Sequence, residues 1–552
     1  MSLVAAACGD DGDGAAEETG EGEQATGGDL VLGAEQWPEC LNPITQCSQA
    51  SWLHWSVLHH VLPKLMEVDP EGNFVPTAVL DGEPELSGEG VDDSGEPFTV
   101  TYTISEDAVW EDGTPMTSTD IKRTWEVRLA TTGVVTTQGY DVIEEIDDSD
   151  PQTAVVTFSE PYAAWQDVFG GGSEYFLKAD ALESDDVADL FQTEIPFSGG
   201  PFVLDSWSTE ELTLLPNENY WDDERTPLVD SVTMIPLEDT QAEITALRSG
   251  EVNAIYPQPT PGMVDELGDM EHVVGFGATF EELWFNQASL LNEDTVLKEP
   301  EVREAILHAI DRQALLEEVV QPDVPETELL NCAGWVPTIG DWCDESDFED
   351  VTYDPDRAAQ ILEDAGWEKG DDGVYERDGQ RLSFTWQTVA GNQRREDTQA
   401  FVIPQLEELG MEVAQDNSDA GTLFEQRLPQ MQTELMMYAW VASPDPSVTT
   451  WAHCDNISSP ENDFSGQNNI GWCNEDASDL MRQSDRTPLP EERQDIIYEI
   501  GDLMREDVIA VPLWQLPLVT AWDPAVVGGP IGEYNSSPQG GFGNIYDWSV
   551  EG

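Results

Sequence analysis

The sequence predicts an α/β protein of more than one domain, and three observations carry that expectation. Its 552 residues exceed what a single hydrophobic core usually holds. Short runs of strand-favouring residues, such as Phe202-Val203-Leu204 and Leu212-Thr213-Leu214-Leu215, alternate with stretches of helical period. Glycine and proline mark the junctions, most plainly at Gly199-Gly200-Pro201.

Phe197 to Ile255 shows the pattern in one piece. After its two strands comes a polar, aromatic-studded loop from Asn217 to Pro227, and Val229 to Pro236 alternates again. Thr240 is placed to cap a helix from Gln241 to Arg248, which Gly250 ends. By itself this is an ordinary α/β fragment.

Charge narrows the partners. The chain has 113 acidic against 21 basic side chains, five of them Lys, for a formal net charge of −92. Phosphate backbones are repelled, because counterion release needs clustered Lys and Arg, so nucleic acid is excluded. An anionic membrane face is disfavoured for the same reason. The acid excess belongs on a solvated surface, where self-repulsion costs stability; at about 0.15 M salt it is screened beyond roughly 8 Å. So few Lys among so many Asp and Glu points to a protein bathed in a salty exterior; an ordinary soluble acidic protein is the alternative. No run of about 18 apolar residues occurs to span a membrane.

The chain begins with Val4-Ala5-Ala6-Ala7-Cys8, followed by Gly9-Asp10-Asp11, which looks like a lipoprotein attachment site at Cys8. Met-Ser-Leu stands where the charged and apolar parts of a signal peptide would be expected. The acidic, Gly-rich stretch that follows lacks aromatics, so residues 1–28 read as an attachment site with a disordered tether. The other six cysteines fall in three local pairs, Cys40 with Cys47, Cys332 with Cys343, and Cys454 with Cys473. Fifteen pairings are formally open; local disulfides in an oxidising exterior are expected, since no pair has zinc-site spacing.

Leu30 to Ala34 reads as a strand, and Ser51 to Leu62 as a helix with Trp52, Leu53, Trp55, Leu58 and His59 at helical spacing. His54, His59 and His60 share no single face and no further His follows until His272, so packing or surface roles are expected, with no metal and no cofactor. Phe98 to Ile104 is a strand. Asp112-Gly113-Thr114-Pro115 makes a turn, and the hydroxyls of 117–119 with Asp120 cap a helix to Arg128. Pro161 to Phe169 reads as another aromatic helix.

Leu283 to Asn286 is the end of a strand. Val302 to Val320 reads as one helix, with Val302, Ile306, Ile310 and Leu315 on its apolar face and Asp311 and Arg312 as interior ion-pair partners. Tyr353-Asp354-Pro355 opens a helix through Ala365 that Gly366 ends. Thr398 to Gly410 gives a helix, Glu412 to Ala414 a strand, and Gln432 to Trp440 a buried strand. The helix Glu491 to Met504 feeds the apolar run Val508 to Leu518.

Enzyme motifs are missing: there is no G-x-S-x-G, H-E-x-x-H, P-loop or G-x-G-x-x-G. With 113 acids, a carboxylate pair for glycoside cleavage could be drawn almost anywhere and carries no information.

The order of short motifs is more specific. Gly199 to Phe202, Asn217 to Trp221 and Ser249-Gly250-Glu251 follow one another as they do in the solute-binding proteins of bacterial ABC importers, the dipeptide and oligopeptide class (family 5). The resemblance extends to Pro63-Lys64-Leu65, Gly72 to Pro76, Asp107 to Ile121, Phe285-Asn286 and Tyr353-Asp354-Pro355. Val302, Arg303, Ala305, Ala309, Ile310, Asp311 and Arg312 match that family's most recognisable helix. About Asp29 to Val527 is covered.

The resemblance implies a two-lobed periplasmic-binding-protein-like fold, type II with an extra subdomain, whose lobes are joined by crossovers near Phe280–Trp284 and Ala510–Leu516. Residues 29–80, 200–280 and 510–552 would form the core of lobe 1, 81–199 its accessory subdomain, and 281–509 lobe 2. A binding protein needs polar groups and aromatics at the seam, so Trp284, Asn286, Tyr438, Trp440, Ser443, Asp445, Trp514 and Gln515 are the expected ligand-binding residues, with core packing the alternative for each Trp. In peptide-binding members the third residue after the matching Trp is an Asp that takes the peptide ammonium. Here Ser443 stands there, and Asp445-Pro446 matches the end of the turn. Either Asp445 moves into the vacant place, or the ligand lacks an amine, as an oligosaccharide would. The implied function is a monomeric cell-surface lipoprotein that delivers a small solute, a peptide ahead of a sugar, to the permease of an ABC importer. A surface adhesin or sensor on the same fold and a secreted carboxylate-based hydrolase are the alternatives.

Overall fold

The computed structural model describes residues 26–45, 52–91, 94–172, 174–237, 239–488 and 490–551. The attachment site at Cys8, most of the tether and Cys47 lie outside the described residues, so the Cys40–Cys47 pairing does too. Cys332–Cys343 and Cys454–Cys473 are both disulfides.

A ten-stranded mixed sheet runs through the molecule. From one edge its strands are Glu412–Gln415, Ser383–Gln387, Leu435–Val441, Glu271–Phe285, Ala510–Trp522, Ala254–Ile255, Asp29–Ala34, Ser231–Pro236, Leu212–Pro216 and Phe202–Trp207. Two strands in the middle, Glu271–Phe285 and Ala510–Trp522, are far longer than the rest and pair antiparallel with each other. They pair in two registers, Glu271 to Phe276 against Trp522 to Pro517 and Phe280 to Trp284 against Gln515 to Ala510. Between these registers lies an irregularity at residues 277–279. An added residue bends a strand and re-aims it, so the sheet turns here. Gln515 fills the bend: its amide donates to the carbonyl of Gly277 and to Thr338 Oγ1. Gly277 has no room for a side chain, since a Cβ there would lie 2.1 Å from the carbonyl oxygen of Ser536.

A separate four-stranded antiparallel sheet has the order Glu85–Ser87, Thr99–Thr103, Thr153–Phe158, Ile143–Asp150. Helix Ser118–Ala130 covers it, opened by the reciprocal capping of Thr117 and Asp120. The alternation of Thr99–Thr103 buries Val100 and Tyr102 on the covered face.

Several elements differ from the sequence expectation. Val302 to Val320 is not one helix but two, Pro300–Ala309 and Arg312–Val319. The break falls where Ile310 is extended and Asp311 accepts from the backbone NH of Ala314 at 3.0 Å, capping the second helix. Asp311 and Arg312 are therefore not ion-pair partners. Arg312 instead donates to the carbonyls of Leu330 at 3.2 Å and Pro512 at 3.1 Å. Pro161 to Phe169 forms no helix beyond one 3₁₀ turn, Trp165–Asp167. Phe169 takes a positive φ of 61° leading into Gly170-Gly171-Gly172, a conformation no helix can continue. Asp239, not Thr240, caps helix Thr240–Ser249, accepting from the NH of Ala242. The helix expected from Thr398 begins earlier, at Gln393, behind an Asn392 cap.

Candidate functional site

A cavity of about 390 Å³ lies beside the two long central strands. On the first side its walls come from Glu35, Gln258 and the accessory segment containing Gln138, Tyr162 and Asp167; on the second from Arg395, Phe424 and the run Tyr438 to Trp451. Phe280 and Leu516, on the two central strands, form its back. The aromatic wall is ordered: Trp440 stacks on Trp451 with centroids 5.9 Å apart and 30° between planes, and Tyr438 packs against Trp440 at 6.0 Å.

One end is acidic. Ser443 Oγ lies 3.0 Å from each carboxylate oxygen of Asp167, joining the two sides. Burial, and then the negative charge of Asp445 nearby, push the Asp167 carboxyl up to about 8. Asp445 is held by Arg493 through both oxygens. Asp485, pushed up to about 6 by burial, accepts from Ser447 Oγ and Thr449 Oγ1, each at 2.7 Å. Glu174 is engaged by Arg128 at 3.0 Å and by the Tyr140 hydroxyl at 3.2 Å.

The other end is basic. Helix Gln393–Leu409 starts with Arg394 and Arg395, both buried and both paired with the single carboxylate of Glu281, Arg395 Nε at 2.6 Å. Gln258 links this cluster onward, accepting from Arg394 Nη2 at 2.8 Å and donating to Glu35 at 2.7 Å. Burial lifts the Glu35 carboxyl to about 7 against the pull of Arg395 and Arg394. Arg395 Nη1 is buried, and no hydrogen-bond partner for it is found among the described residues. Two guanidiniums sharing one carboxylate leave positive charge at this end of the cavity, which Arg395 lines.

Sequence comparison identifies the architecture. The family model for bacterial extracellular solute-binding proteins, family 5 Middle, matches residues 83–459. The chain belongs to that family. The family 5 chain is 25% identical over 501 residues to the oligopeptide-binding protein AppA of Bacillus subtilis, covering 87% of this chain and 86% of that one. It is 28% identical to protein XP55 of Streptomyces lividans over 64% of this chain and 62% of that one. The solved structure of Bacillus subtilis AppA in complex with a nonapeptide superposes with a TM-score of 0.82 at 21% identity, covering 96% of this chain and 100% of that one. A periplasmic EDTA-binding protein, EppA, gives 0.80 at 20% identity, covering 96% and 97%. The solute-binding fold is therefore two-lobed α/β, and no helix among the described residues is long and apolar enough to cross a membrane.

In this family 5 protein the residues expected from sequence divide into two sets. Tyr438, Trp440, Ser443 and Asp445 line the cavity together. Trp284, Asn286, Trp514 and Gln515 are not among its lining residues. Trp284 is fully buried, stacked on Tyr438 at 6.2 Å and edge-on to Trp451 at 5.3 Å. Trp514 is fully buried in the central strand. Asn286 donates to the carbonyl and hydroxyl oxygens of Thr433 at 3.1 Å, and Gln515 serves the bend. Asp167 and Arg395 were not singled out from sequence. Asp167 had no signal, being one acid among 113. Arg395 had one: two arginines in the first turn of a helix oppose the macrodipole, and such a breach of a local rule often marks a functional position.

Proposed function

We propose that this protein captures a peptide in the interlobe cavity and hands it to the membrane permease of an ABC importer. The observation that carries the reading is Arg395 in the cavity wall, where two guanidiniums share the single carboxylate of Glu281; the positive charge left there suits a carboxylate and would find no charged partner in a neutral oligosaccharide. The names of the relatives, oligopeptide-binding proteins among them, support the same ligand class. Tyr438 and Trp440 would contact the ligand, with Ser443 and Asp445 shaping the end beyond them. Trp284, Asn286, Trp514 and Gln515 would hold that wall in place from behind. On this reading nothing is made or broken in the cavity: Asp445 is tied to Arg493 and Glu174 to Arg128, which leaves neither free as a general base.

The protein would act as a monomer outside the cell membrane, held there by a lipid on Cys8. Residues 281–509 would form lobe 2, closing on lobe 1 about the bend at Gly277.

The test is calorimetric titration and thermal shift with a mixed tripeptide pool, the same pool with amidated C-termini, and a neutral β-linked tetrasaccharide. The free-carboxylate pool is expected to stabilise the protein, by about 2.7 kcal/mol at a hundred times Kd, and the amidated pool much less. Stabilisation by the sugar alone overturns the peptide reading.

A further inference from the structure

The acidic end of the cavity carries a more specific assignment, which rests on the peptide reading above. We infer that the ammonium group of the ligand is received by Asp167, on the accessory subdomain, and not by a carboxylate of the segment that follows Trp440.

The segment after Trp440 has one carboxylate on the cavity, Asp445, and Arg493 already occupies both of its oxygens from a buried position. Moving Asp445 toward a ligand would strip Arg493 of its counter-ion inside the protein, a cost of several kcal/mol. Ser443, at the third place after Trp440, is a hydroxyl and cannot neutralise a cation. It does something else: its Oγ donates toward Asp167 at 3.0 Å and so fixes the orientation of a carboxylate arriving from the opposite wall. Asp167 keeps acceptor positions free, because one hydroxyl proton cannot satisfy two oxygens.

Among the described residues no Arg, Lys or His forms an ion pair with Asp167. Two cations feel its charge from further off, and both are engaged elsewhere. Arg493 is held by Asp445, and Lys64 Nζ donates to the carbonyls of Gly171 at 3.0 Å and Gly172 at 2.7 Å. The same cavity is lined by Arg395 on its other side, where two guanidiniums share the one carboxylate of Glu281. A ligand with an ammonium at one end and a carboxylate at the other would thus be strung between two lobes, its amine on the first and its carboxylate on the second. Binding and closure would then be one event, since neither lobe alone offers both charges.

The experiment compares wild type with Asp167→Asn, using the mixed tripeptide pool, its N-acetylated counterpart and isothermal calorimetry. The substitution keeps the side-chain shape and an oxygen acceptor for Ser443 while removing the charge. Wild type is expected to lose at least tenfold in affinity on acetylation, and D167N to bind both pools equally. A wild type indifferent to acetylation, or a D167N protein that still rejects the acetylated pool, overturns the Asp167 assignment while leaving the peptide reading intact. Binding of neither pool overturns both. Should D167N fail to fold, Asp167→Ser is compared in the same way, and a D167S protein that still rejects the acetylated pool overturns the assignment.

Discussion

Asp445 meets Arg493 in a two-pronged ion pair, Nη1 to Oδ2 at 2.5 Å and Nη2 to Oδ1 at 3.0 Å, with the two residues 9% and 3% exposed. Breaking such a pair from one side leaves a buried charge without compensation. Arg493→Met is therefore expected to destabilise the protein by about 3–5 kcal/mol, and the double variant D445N/R493M to recover part of that loss. Urea unfolding of the three variants checks it; additivity of the single effects would show that the pair does not act as a unit.

Stability should fall as pH rises through neutrality. Burial raises the carboxyls of Asp167 and Glu282 to about 8, Glu425 to about 8 with Glu39 beside it, and Glu35 to about 7. Each holds its proton in the folded state over a range where the unfolded chain has lost it, so the unfolded state binds fewer protons between about pH 4 and pH 8 and the slope of stability with pH is negative there. Melting temperature is expected to be several degrees higher at pH 5.5 than at pH 8.5. Glu425→Gln should flatten the curve, because it removes one of these groups along with its repulsion from Glu39.

The disulfide loop between Cys332 and Cys343 props the acidic end. Trp335 Nε1 donates to the carbonyl of Pro446 at 3.0 Å and Trp342 Nε1 to that of Pro444 at 3.2 Å, both on the segment that carries Ser443 and Asp445. Replacing both cysteines by serine is expected to cost about 2–3 kcal/mol, in line with a short closed loop. Affinity for tripeptides should fall as well, which a remote staple would not cause; calorimetry on the folded variant separates the two.

The bend at Gly277 has no room for a side chain. Gly277→Ala places a Cβ against the Ser536 carbonyl, and overpacking of this kind costs about 1–3 kcal/mol. A melting temperature unchanged from wild type would mean that the C-terminal segment gives way without cost.

A net charge of −92 implies one more dependence. Self-repulsion over the surface is screened by salt, so the urea midpoint should rise steadily from about 0.05 M to about 1 M sodium chloride. Indifference to salt would place the acids far enough apart to be harmless.

Much of the scaffold was legible because local chemistry and fold agree. Asp354 before Pro355, Gly366 after Ala365, and the alternation of Thr99–Thr103 each specify their element within a few residues. The single helix expected over 302–320 failed because apolar period continues across Ile310 while Asp311 offers a cap, and the cap wins. The site was legible only in part. Trp440, Ser443 and Asp445 share one segment and could be read together. Asp167 and Arg395 lie more than two hundred residues apart and meet only through the sheet. Trp284 shares a strand face with Phe280 but is covered by Tyr438 and Trp451, and that cover comes from a distant segment, which the apolar run could not reveal.

The central position of Ala510–Trp522 also fixes an order of events during synthesis. That strand lies between Glu271–Phe285 and Ala254–Ile255, and Asn535 then clamps it, donating to the carbonyls of Leu518 at 3.1 Å and Val273 at 3.2 Å. A growing chain therefore leaves both halves incomplete until this strand has left the ribosome, the middle one until Ala510 to Gln515 and the one containing its beginning until Trp522. A chain stopped short of Trp522 would leave Glu271–Phe285 and Ala254–Ile255 with open edges, and it would be prey to proteases and to its own copies.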